Sequence, residues 1–200
     1  MGFSKPEGLM GRLLVKSMNR FHAGLASWGT EQFGVVSPDA HILDVGCGGG
    51  ANVAQWLKKC MDGKVYGLDY SDVCVAEAKR INHDAILSGR CQIFHGSVSE
   101  IPVQDCTLDV VSAYETVYFW PDITKDFAEV CRVLKPGGRF LIVNEISGEN
   151  ESEKKWEGMV KGLKLLKPAQ YNQVLQNAGF SHVETFRHPK RSWICMIGTK

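Results

Sequence analysis

The chain has 200 residues, with 23 lysines and arginines against 22 aspartates and glutamates, for a formal net charge of +1. So even a balance supplies no field to draw in a polyanion, which argues against nucleic acid as a partner, and a chain of this length without a Pro/Ser-rich or charged linker suits one domain. Seven cysteines stand singly at 47, 60, 74, 91, 106, 131 and 195, with no C-x-x-C pair and no Cys/His grouping of zinc-ligand spacing. They read as free thiols of a reducing, cytoplasmic compartment, and no metal site is expected.

In chain order, MGFSKPEGLMGR has no long uncharged apolar core, and Pro6 stands where a myristoylation signal needs Ser or Thr. No apolar run reaches the ~18 residues of a membrane span. Met10, Leu14, Met18, Phe21, Leu25 and Trp28 step by three or four, marking one face of a helix in a cover over residues 1–34.

Between residues 41 and 145 strand-like runs alternate with helical ones, the pattern of a parallel sheet. The strand runs are 42–45, 65–68, 91–94, 108–113 and 139–144. Val53, Trp56, Leu57 and Cys60 mark the first helix, Ser71 is the N-cap of the second, and Ile123, Phe127, Val130 and Leu134 mark the third. LKPGGR then stops that helix at Pro136 and turns through Gly137 and Gly138.

Residues 146–167 form a short second cover in which Trp156, Val160, Leu163 and Leu166 predict an amphipathic helix. Its lysines 154, 155, 161, 164 and 167 read as a solvated face. A helix from Pro168 toward Gly179 is followed by strand runs 181–186 and 192–198, so the chain ends in a hairpin and the sheet gains an antiparallel strand.

GCGGGA satisfies the permissive dinucleotide fingerprint G-x-G-x-x-A, and Asp69 ends the second strand where a ribose-binding acid is expected. No Gly-Lys-Ser/Thr follows, which rules out a P-loop. The glycines alone do not choose the cofactor; Asp44 does. A carboxylate two residues before the first glycine opposes a pyrophosphate, whereas a cofactor with a cationic amino group gains from it. S-adenosylmethionine has that ammonium, a sulfonium and a ribose diol.

LDVGCGGG, VYGLDYS, FHGSVSEIPV, LDVVSAYETVYFWPD, EVCRVLKPGGRFLIV and LLKPAQYNQVLQNAGF together resemble a class I S-adenosylmethionine-dependent methyltransferase of the small-molecule, methyltransferase type 11-like branch. The resemblance implies a Rossmann-like, doubly wound α/β fold in three layers, with strand order 3-2-1-4-5-7-6 and the last strand antiparallel. It implies that Gly46, Cys47 (through its backbone), Gly48 and Gly50 follow the methionyl part, with Asp44 near its ammonium. Asp69 would hold the ribose, Tyr70 the adenine face, and Gly96, Ser97 and Val98 the adenine edge. At Ser97 the family often has an aspartate.

The stretch AYETVYFWPD leaves the fourth strand at the end where ligands bind in such sheets. Tyr114 and Glu115 are expected to line the methionyl side and Tyr118 and Trp120 to face the acceptor; the alternative is that Phe119 and Trp120 pack under the next helix. Displacement at a sulfonium methyl needs a base only if the acceptor must lose a proton, so the candidates for that role are few: Tyr118, Glu145 and His22. His22 could equally be a satisfied polar edge, and Glu145 a surface carboxylate. No Asn/Asp-Pro-Pro-aromatic motif of nucleic-acid amino methylation is found. The expected activity is methyl transfer from S-adenosylmethionine to a small, partly apolar acceptor. The alternatives are an NAD-dependent oxidoreductase and a fold relative that binds the cofactor without catalysis.

Overall fold

The computed structural model describes residues 22–160 and 162–200. Helix α1 (Ala23–Phe33) precedes β1 (His41–Val45), α2 (Ala51–Lys59), β2 (Lys64–Asp69), α3 (Asp72–Ile81), the short α4 (His83–Leu87) and β3 (Cys91–His95). Then come β4 (Leu108–Tyr114), a 3-10 turn (Val117–Phe119), α5 (Ile123–Val133) and β5 (Leu134–Asn144). A second 3-10 turn (Glu151–Glu153), α6 (Lys155–Met159), α7 (Pro168–Asn177), β6 (His182–Arg187) and β7 (Ile194–Thr199) complete the chain.

The seven strands form one sheet in the order β3-β2-β1-β4-β5-β7-β6. β1 pairs in parallel with both β2 and β4, and β7 runs antiparallel to β5 and β6. This is the order the resemblance implies. β1 and β4 are buried along almost their whole length because the sheet is covered on both faces. On one face Leu25, Phe33, Val53, Trp56 and Val75 pack against Ile42, Val65 and Leu141. On the other Phe127, Val130, Tyr171 and Leu175 pack against Leu43, Val111 and Phe140.

Helix α1 lies on β5 and β7, with Leu25, Ala26, Gly29, Thr30 and Phe33 buried. A Cβ at Gly29 would stand 2.7 Å from Cγ1 of Val143, so helix and strand touch backbone to side chain. Trp28 meets Trp193 at 6.0 Å and His188 at 5.5 Å. The earlier stripe residues Met10, Leu14, Met18 and Phe21 lie outside the described residues.

Two expectations are corrected. The stripe over 156–166 is not one helix: among its described residues only those of Lys155–Met159 are helical, Trp156 is exposed, and Leu163 is buried from a separate loop. Gly158 inside that short helix and Gly162 beyond it, the latter at φ +84°, weaken a longer helix, each costing about 1 kcal/mol relative to alanine. LKPGGR is likewise not a turn before the fifth strand. β5 already begins at Leu134, paired with Leu108, and the glycines form an irregularity inside it before the register resumes at Val110 and Arg139.

Candidate active site

The carboxyl ends of β1, β2, β4 and β5 open on one edge of the sheet, and the loops that leave them build the site. After β1 the chain turns back at once: the amides of Gly46 and Cys47 both donate to the Leu68 carbonyl, at 2.7 and 3.0 Å. Gly46, Gly48 and Gly50 take φ of +69°, +51° and +79°, which L side chains rarely adopt. They differ in what surrounds them. A Cβ at Gly46 would stand 2.7 Å from Cβ of Thr116, and one at Gly50 2.8 Å from Cα of Ala78, so these two serve packing. A Cβ at Gly48 would meet nothing within 4 Å, so this glycine backs onto open space. Cys47 is buried, and its thiol donates weakly to the Gly48 carbonyl at 3.9 Å.

Two acids frame that space. Asp69, at the end of β2, accepts from the Gly48 amide at Oδ2 (2.8 Å) and from the Ser71 amide at Oδ1 (2.9 Å). Burial raises its carboxyl above the ordinary range despite these bonds. Asp44 is buried in β1, where Oδ1 accepts from the Ser112 hydroxyl at 2.8 Å and Ser112 in turn accepts from the Trp56 indole at 3.0 Å. Its Oδ2 has no partner among the described residues. Burial pushes this carboxyl up to about 7, the Ser112 bond opposes the rise and the charge of Asp69 adds to it. A buried acceptor without a donor is costly, and a cationic donor is the group that relieves it.

On the far side, the Gly96 amide donates to the Asp69 carbonyl at 3.0 Å. Ser97 Oγ accepts from the Ser99 amide at 3.2 Å, Val98 buries its side chain in the core, and a cavity of about 630 Å³ opens beside Gly96, Ser97 and Ile101. Tyr70 is partly exposed, with its carbonyl 3.0 Å from the His95 ring.

At the end of β4, Tyr114 departs from expectation. It is buried between the sheet and α1, and its hydroxyl pairs with Thr30 at 2.7 Å. Trp120 is corrected in the same sense: it stacks on Phe140 at 6.0 Å and meets Phe127 edge-on at 5.7 Å, so it packs under α5 instead of facing an acceptor. Tyr118 is also buried. Its hydroxyl donates to Glu115 Oε1 at 3.1 Å and accepts from the Ile146 amide at 3.1 Å, which makes it a support for Glu115.

Glu115 has a left-handed backbone, φ +61°, and its backbone N–H donates a hydrogen bond to the Val143 carbonyl at 2.9 Å. The Glu145 amide also donates to Oε1. Burial drives the Glu115 carboxyl up to about 8; the Glu145 amide opposes this and the neighbouring Glu145 carboxylate reinforces it. His22, immediately before α1, is driven toward its neutral form by burial, with Glu145 pulling the other way. The ligand-type atoms of His22, Glu115 and Glu145 all lie within 4.8 Å of one another. Spacing in the sequence hid this group, because its members are far apart in the chain and only the topology joins them.

The sequence pattern of the methyltransferase domain family matches residues 43–142, from β1 through the glycine turn into β5. This chain belongs to that family. Among curated relatives, the methyltransferase domain is similar to cycloartenol-C-24-methyltransferase 1 of Oryza sativa subsp. japonica, 34% identical over 107 residues, covering 54% of this chain and 31% of that protein. It is similar to demethylmenaquinone methyltransferase of Bacillus mycoides, 34% identical over 111 residues, covering 53% and 45%. The chain spans less than half the length of these two relatives. The methyltransferase in complex with the Haloferax volcanii Trm112 methyltransferase activator shares the fold at TM-score 0.83 and 20% identity, covering 92% of each chain.

S-adenosylmethionine is the methyl donor of this family, and the residues present fit it. The buried Oδ2 of Asp44 wants a cationic donor, and the open face of Gly48 leaves room for a backbone approach. Sequence reading missed Ser112, which orients Asp44; Thr116, which shapes the turn at Gly46; and Asn82, whose amide donates to the Gly50 carbonyl at 3.1 Å. A serine within the apolar run LDVVSAY was the one visible signal.

Proposed function

We propose that this domain moves a methyl group from S-adenosylmethionine to a small, partly apolar acceptor at the carboxyl ends of β4 and β5. One observation carries the reading: the partnerless buried oxygen of Asp44 beside the open-sided turn at Gly48. When bound, the donor supplies a methyl already activated by a sulfonium, so the protein's task is alignment and exclusion of water. Asp44 receives the ammonium, the turn from Gly46 to Gly50 passes along the methionyl chain, and Asp69 takes the ribose hydroxyls with the lone pairs that the Gly48 and Ser71 amides leave free. Tyr70 and the loop at Gly96, Ser97 and Val98 flank the adenine, Val98 through its backbone. Glu115, Glu145 and His22 face the acceptor, with Tyr118 holding Glu115 in place.

The names of the curated relatives, which act on sterols and demethylmenaquinone, support an acceptor with apolar character. The even net charge supports a small molecule over a nucleic acid. No helix among the described residues is long and apolar enough to cross a membrane. Calorimetry with S-adenosylmethionine, S-adenosylhomocysteine and NAD in parallel tests the cofactor. The first two bind and NAD does not; binding of NAD alone overturns the reading. Transfer of labelled methyl across a panel of sterol, quinol, phenol and amine acceptors then identifies the substrate class.

A further inference from the structure

His22, Glu115 and Glu145 come from the residue preceding α1, the end of β4 and the end of β5, and their ligand-type atoms lie within 4.8 Å of one another. Two carboxylates are thus brought together, and among the described residues no lysine or arginine pairs with either. Both hydrogen bonds to the Glu115 carboxyl, from the Tyr118 hydroxyl and the Glu145 amide, fall on Oε1. Oε2 of this half-buried group therefore has no hydrogen-bond donor among the described residues, and neither has the His22 ring.

We propose that His22, Glu115 and Glu145 form a binding site for one divalent transition-metal ion, which ties the start of α1 to the acceptor end of the sheet. One imidazole with two carboxylates suits Mn²⁺, Fe²⁺ or Zn²⁺ and does not suit the all-oxygen preference of Mg²⁺ or Ca²⁺. Metal–ligand distances of about 2.1 Å place ligand atoms roughly 3–4 Å apart, so side-chain rotation alone closes the observed spacing. Tyr118 and the Glu145 amide supply the outer hydrogen bonds that fix a ligating carboxylate. Three protein ligands leave coordination positions for an oxygen of the acceptor or for water. Cation binding does not depend on the methyl-transfer reading.

The test uses the full chain stripped with a chelator, titrated with Mn²⁺ by electron paramagnetic resonance and with Zn²⁺ by calorimetry. One equivalent of each is expected to bind. Glu145→Gln, an exposed position that leaves the core intact, weakens it at least about tenfold, and Tyr118→Phe, which frees the Glu115 carboxyl, weakens it by about 10- to 100-fold. His22→Ala gives a loss like that of Glu145→Gln, whereas His182→Ala on the distant edge strand changes nothing. Binding that is unaffected by Glu145→Gln and His22→Ala, or no binding up to about 1 mM metal, a free energy of only about 4 kcal/mol, overturns the proposal.

Discussion

The Oδ2 of Asp69 accepts a hydrogen bond from the Gly48 amide at 2.8 Å, so the acid that ends β2 holds the apex of the glycine turn that leaves β1. Asp69 is thus part of the cradle as well as part of the proposed ribose contact. Asp69→Ala is expected to weaken S-adenosylhomocysteine binding by roughly 10- to 100-fold, since hydrogen bonds to a charged acceptor contribute about 1.5–3 kcal/mol. It should also lower the melting temperature of the free protein, because the Gly48 and Ser71 amides lose their acceptor. Calorimetry and thermal melts read the two effects separately, and unchanged affinity would remove Asp69 from the cofactor site.

The glycines of the turn divide by what surrounds them. Gly46→Ala forces a methyl against Thr116 on a left-handed backbone and is expected to cost about 3 kcal/mol or more in stability, a clash plus strain. Gly48→Ala meets no neighbour, so it costs only the ~1–2 kcal/mol of left-handed strain while blocking the cofactor's approach. Chemical denaturation should show the larger loss at 46. Calorimetry should show lost binding in a folded protein at 48.

Asp44 makes stability and binding depend on pH. Its folded pKa of about 7 lies above the ordinary carboxyl value of 3.8, so its contribution is fully present below pH ~4 and is lost as the pH rises through 7. At about 1.4 kcal/mol per pKa unit the loss is on the order of 4 kcal/mol, and Asp44→Asn should flatten it. An ammonium beside Asp44 favours the charged form. Binding of S-adenosylhomocysteine near pH 6 should therefore release a proton, seen as a heat that changes with the buffer's ionisation enthalpy, and Asp44→Asn should abolish that dependence.

Ser97 stands where relatives often carry an acid. Ser97→Asp is expected to tighten S-adenosylhomocysteine binding by about 1 kcal/mol, as a charged acceptor replaces a neutral one, and Ser97→Ala to weaken it by a similar amount. The Ser97 hydroxyl also accepts from the Ser99 amide, so equal affinities in both variants would mean that it serves only the loop.

The alternation of strands and helices, the terminal hairpin and the acids Asp44 and Asp69 flanking a glycine turn were legible from local rules, whereas the strand order came only from the family resemblance. The roles of the aromatics were not. Tyr114, Tyr118 and Trp120 occupy one short stretch, yet the structure sends one to α1, one to Glu115 and one under α5. The local turn after β4, with Glu115 at φ +61°, decides among them, and a non-glycine left-handed residue has no sequence signature. The approach of His22 to Glu115 and Glu145 depends on how α1 docks on β5. Beside the burial of Leu25, Ala26, Thr30 and Phe33, that docking needs the close approach at Gly29, which periodicity does not reveal.

At Gly29 the space for a Cβ is already taken by Val143. His22 stands immediately before helix α1, and Glu145 follows the end of β5 two residues after Val143, so the closeness allowed at this position bears on the gap between imidazole and carboxylate. Residue 29 acts as a spacer of zero thickness. Alanine, serine and valine there would be shims of rising size, lifting the helix and widening the opening beside the acceptor end of the sheet while every polar side chain in it remains unaltered.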